Sequence, residues 1–160
     1  MTDQYVSMLV DSLQKKKHIL EQITALCDRQ SALVKAEELD LEAFDKAFDE
    51  KGALISQLDL LDDGFDAIFG RVKEVLSSEE GKKAHAAEIT QMQDLIRAIT
   101  DLSMHIQTSE QRNKAAIEQF FAKEKTRIKQ GREGSSAALN YYLNMKNRQI
   151  VPPHFYDNRN

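Results

Sequence analysis

Apolar side chains recur along this chain at steps of three and four. The first series is Val6, Leu9, Leu13, Leu20, Ile23, Cys27 and Val34, with Lys16 and Gln30 standing where the phase asks for an apolar group. Ile19, Leu26 and Leu33 lie beside it, so the two lines make one broad stripe on a helix over about 2–36. Glu37-Glu38-Leu39-Asp40 reads as a corner, with Asp40 placed to cap the next helix. The second series is Leu41, Phe44, Phe48, Ile55, Leu58, Phe65, Phe69, Val72 and Leu76, with Lys51 and Asp62 at its skipped positions. Its phase holds throughout, which predicts one helix over about 40–76, with Gly64 as the place for a kink. Ser77-Ser78-Glu79-Glu80 reads as a stop and a fresh cap, with Ser77 and Glu80 spaced as a capping box. The third series is Ile89, Met92, Ile96, Ile99, Ile106, Ile117 and Phe120, flanked by Leu95, Leu102, Phe121 and Ile128, and predicts a helix over about 79–130. Gln107–Lys114 has no apolar side chain, so that stretch is either a wet gap in the seam or a break.

Gly131 and Gly134 end the helical pattern, and Pro152 and Pro153 keep the last residues extended. The expected organisation is a helical bundle over 1–131 and a tail over 132–160, with a short amphipathic helix at 135–147. Three amphipathic helices with short corners must bury their stripes on one another, and heptad-like spacing favours antiparallel packing. The predicted fold class is therefore all-α, with long antiparallel helices in an elongated coiled-coil-like bundle and a short C-terminal helix or extended tail. Composition agrees: six glycines and two prolines in 160 residues are too few for a turn-rich all-β fold. The third helix is the longest expected, so its far end, past about Ile117, is predicted to lack an intramolecular partner. Ile106, Ile117, Phe120, Phe121 and Ile128 are then either core or a groove for a partner.

Charge and candidate chemistry narrow the function. The net charge of −4 argues against a general nucleic-acid binder. It is unevenly spread, with seven basic and two acidic side chains in Arg112–Arg132. Those cations suit either a helix C-terminus or an acidic protein surface. No apolar run is long enough to span a membrane, and no basic-then-apolar leader precedes the first helix. One cysteine, Cys27, fits a buried thiol and a reducing compartment. The four histidines lack the Glu-x-x-His repeat of a di-iron bundle, and the His85–Glu88 and Asp101–His105 pairs read as solvated faces. Asp59, Asp62, Asp63 and Asp66 lack calcium-loop spacing and read the same way. No catalytic constellation, cofactor or metal site is expected, and the chain is not expected to be an enzyme.

The element Glu50-Lys-Gly-Ala-Leu-Ile-Ser-Gln-Leu58, set in Asp49–Asp62 after a long first helix and an acidic corner, resembles FlgN-type flagellar export chaperones. The resemblance covers roughly 5–130 and includes a polar, aromatic tail. It implies a cytoplasmic, non-enzymatic chaperone that binds the C-terminal helical segments of hook–filament junction proteins. It also implies delivery of these hook-associated proteins to the flagellar export gate, with Tyr141 or Tyr142 docking there. The Pro152-Pro153-His-Phe-Tyr-Asp ending departs from the family pattern. A rival reading is a structural coiled-coil module that self-associates as a homo-oligomer and has no client.

Overall fold

A computed structural model describes residues 2–124. Among them there are four helices and no strand: α1 (Thr2–Lys35), α2 (Leu41–Ser77), α3 (Glu79–Ala84) and α4 (Ala86–Lys123). The fold is all-α. The predicted positions Ile128, Tyr141 and Tyr142, and the predicted helix at 135–147, lie outside the described residues.

The α1–α2 corner is closed by Asp40. Its carboxylate Oδ1 accepts the Ala43 N–H at 3.0 Å, and its carbonyl accepts the Phe44 N–H at 3.0 Å. One of the orphan amides at the start of α2 is thereby satisfied, and Glu42 adds a favourable charge in the first turn. No break interrupts α2 at Gly64.

The next corner is built differently from the sequence pattern. Ser78, not Ser77, caps α3: its Oγ accepts the Gly81 N–H at 3.0 Å and lies 2.6 Å from the Val75 carbonyl, to which it donates. Ser77 is the last residue of α2 and donates back to the Lys73 carbonyl at 2.8 Å. Gly81 is buried against the last turn of α2, where a Cβ would stand 1.7 Å from the Val75 carbonyl oxygen. Only glycine permits that approach. Four residues on, the backbone leaves helical geometry at His85 (φ −117°, ψ 26°), whose N–H donates to the Gly81 carbonyl. α4 then starts afresh, the His85 carbonyl accepting the Ile89 N–H at 2.9 Å. The single helix expected from residue 79 onward is therefore divided at His85. His85 is also buried, with Nε2 3.6 Å from the Asp3 carboxylate, which corrects its reading as part of a solvated face.

The described chain packs as two compact units, residues 2–22 with 54–103 and residues 23–53 with 104–124. α1, α2 and α4 contribute to both. In the first unit Val6, Leu9, Leu13, Leu20, Phe65, Val72, Ile96 and Ile99 are almost fully buried. Each such side chain contributes about 1.5–3 kcal/mol relative to exposure. Lys16 sits in this core, 2% exposed, and its Nζ donates to Asp62 Oδ1 at 2.7 Å. Burial pulls the Lys16 ammonium below its ordinary pKa and pushes the Asp62 carboxyl above its own, and their mutual attraction only partly offsets this. Asp62 thus turns inward and is not part of a uniformly solvated acidic face. Nearby, Arg71 Nη1 donates to the Tyr5 hydroxyl at 3.2 Å and its guanidinium lies over the ring.

Candidate functional site

The second unit brings together the end of α1, the start of α2 and the end of α4. Its apolar part is the cluster Phe44, Phe48, Ile117 and Phe121, with Leu33, Val34, Leu39, Leu41 and Phe120 packed against it. Phe44 and Phe48 meet edge to face at 4.8 Å, one helical turn apart. The spacing of these residues in each helix sends them to one side, so the three stripes converge.

One turn along α4 the core becomes polar. The stretch 107–114, which has no apolar side chain, is helical throughout. Its inward side chains are the missing pieces of the seam. Asn113 Nδ2 donates to the Cys27 carbonyl at 3.2 Å. The Ser31 hydroxyl lies 2.9 Å from Asn113 Oδ1 and 3.0 Å from the Cys27 carbonyl, both acceptors, so they share its one proton. Gln30 Nε2 donates to the Phe44 carbonyl at 3.2 Å, while Gln30 Oε1 is buried without a partner. Lys51 Nζ forms an ion pair and hydrogen bond with Glu110 Oε1, its side chain 1% exposed and that of Glu110 13%. The same Glu110 oxygen accepts from Cys27 Sγ at 3.0 Å. The Lys51 ammonium also stands 5.2 Å from the Phe48 ring centroid, within cation–π range.

This layer binds helices to one another. Burial pushes the Cys27 thiol far above its ordinary pKa, further than Lys51 can lower it, which disfavours the thiolate that a nucleophile needs. Among the described residues, no group of three or more His, Cys, Asp or Glu side chains could hold a metal ion. No helix among them is long and apolar enough to cross a membrane.

Of the residues predicted for a partner groove, Ile106, Ile117 and Phe121 are buried within the chain and Phe120 is half-buried. The end of α4 near Ile117 therefore has cover from α1 and α2, which the expected difference in helix lengths did not anticipate. Glu110, Asn113 and Ser31 were not singled out from sequence. For Glu110 and Asn113 the signal was the polar gap itself, matched by Gln30 and Lys51 at skipped apolar positions on the other two helices, whereas Ser31 carried none.

The described residues are all-α, and their buried polar contacts join helix to helix. The family model described as "FlgN protein" matches residues 1–144, and the chain belongs to that family, whose members are flagellar export chaperones. No curated protein and no solved structure gave a match.

Proposed function

We propose that this chaperone works in the cytoplasm, binding the C-terminal helical segments of hook–filament junction proteins and delivering them to the flagellar export gate. The observation that carries the reading is the family match, which spans every described helix. The packing supports it, because amphipathic helices already lie in apolar seams here, as a client helix would. Ile106, Ile117, Phe120, Phe121 and Ile128 are proposed to meet the client, and Tyr141 or Tyr142 the gate. Phe120 is the one described member of that set that is only half-buried.

The test is calorimetry and co-purification of the full chain with C-terminal segments of hook-associated proteins. A stable complex is expected, weakened by Phe120→Asp with helicity retained. Absence of binding to every such segment, with a tight homodimer by sedimentation, would favour the self-associating structural module instead.

A further inference from the structure

The unit formed by 23–53 and 104–124 sets an apolar cluster beside a polar layer. Lys51 and Glu110 have lost most of their hydration, a desolvation cost that an apolar pair of the same size would not carry. Gln30 Oε1, buried and unpartnered, adds an uncompensated desolvation. These groups regain water when α4 parts from α1 and α2, whereas apolar side chains in their place would regain nothing. The layer thus lowers the cost of separating α4 here, relative to an apolar seam of the same size.

We propose that this unit opens at the polar layer as one cooperative step, α4 parting from α1 and α2, and that the opened Phe44–Phe48 and Ile117–Phe121 faces receive a client's amphipathic helix. The inference rests on the chaperone reading above and gives that binding its gate. The occupant follows from the closed state: α4 fills the seam on Phe44 and Phe48 as a helix with Ile117 and Phe121 inward and with Ala115, Gln119 and Lys123 exposed. A replacement helix must present the same two faces.

Cys27 supplies the readout, being the chain's one cysteine and fully buried. In the full-length chain its labelling by the thiol reagent DTNB, at concentrations where labelling tracks the open population, is compared with global unfolding in urea. The expected result is an opening constant at least about tenfold larger than that for global unfolding. Equal constants overturn the proposal. Lys51→Met combined with Glu110→Leu should slow labelling at least about fivefold and slow client association by the same factor. Lys51→Met alone, which strands the Glu110 carboxylate, should speed labelling, so the test survives if the double variant fails to fold. A single variant labelled no faster than wild type overturns the proposal. A folded double variant labelled as fast as wild type, or labelled slowly yet binding client at the wild-type rate, does the same. Wild-type protein that labels through local opening but binds no client overturns the chaperone reading and, with it, the docking role assigned to the opened seam.

Discussion

The atom that Gly81 lacks would collide with backbone, 1.7 Å from the Val75 carbonyl oxygen and 2.6 Å from its carbon. No flexible side-chain end can swing away, so the α2–α3 corner itself must shift. Gly81→Ala is expected to cost about 3 kcal/mol or more, at the upper end of single substitutions, measured by urea unfolding. A loss below about 1 kcal/mol would show that the corner yields easily. Asp45 offers a second residue-scale prediction. Its Oδ1 is buried without a partner, and burial, then Asp49, pushes its carboxyl above the ordinary 3.8. A carboxyl raised in the folded state contributes stability that is full below its unfolded value and lost as pH rises through the folded one. Asp45→Asn removes that loss. The variant's urea midpoint should therefore gain on wild type between pH 3 and pH 7, and a variant that instead loses ground on wild type over that range would contradict the assignment.

For the helices, much was legible and the reason is periodicity. Lys16, Gln30, Lys51 and Asp62 were visible as polar intruders in apolar phases because a heptad seam leaves them no route outward. Their partners were not visible, since Lys16 meets Asp62 across 46 residues and Lys51 meets Glu110 across 59, separations that spacing within one helix cannot encode. Asp40 could be read as a cap because a cap is local. The interruption at His85 could not, because it follows a glycine tucked against the preceding helix. Lys16 and Asp62 carry the prediction at this scale. Both are shifted toward their neutral forms by burial, so the pair is held at a net electrostatic cost. Lys16→Met with Asp62→Leu is expected to leave thermal stability unchanged or raised, while Asp62→Leu alone lowers it by stranding the ammonium. A double variant less stable than the single one would reverse that account.

Taken as a whole molecule, the chain covers more of itself than its apolar pattern suggested. With α3 set apart by the break, α1, α2 and α4 contain 34, 37 and 38 residues, so α4 among the described residues barely exceeds the others. Leu39 and Leu41, at the α1–α2 corner, reach the seam that was expected to be bare. A client that binds the folded chain must then stabilise it. At a hundredfold excess over Kd the gain is about 2.7 kcal/mol, which should raise Tm by about 5–10 °C in a calorimetric scan with a hook-associated C-terminal segment. An unchanged Tm at saturating segment would mean that no complex forms. The ion pair inside the second unit also bears on how the chain finds its fold. If α4 slid by one heptad, Lys51 would face Ser103 or Ile117 in place of Glu110, a cation walled in with no anion. The same slide would set Glu110 or Glu124 where Ile117 packs on Phe44 and Phe48, so the apolar cluster and the ion pair reject it together, and the correct alignment is enforced during folding by what it would cost to be wrong.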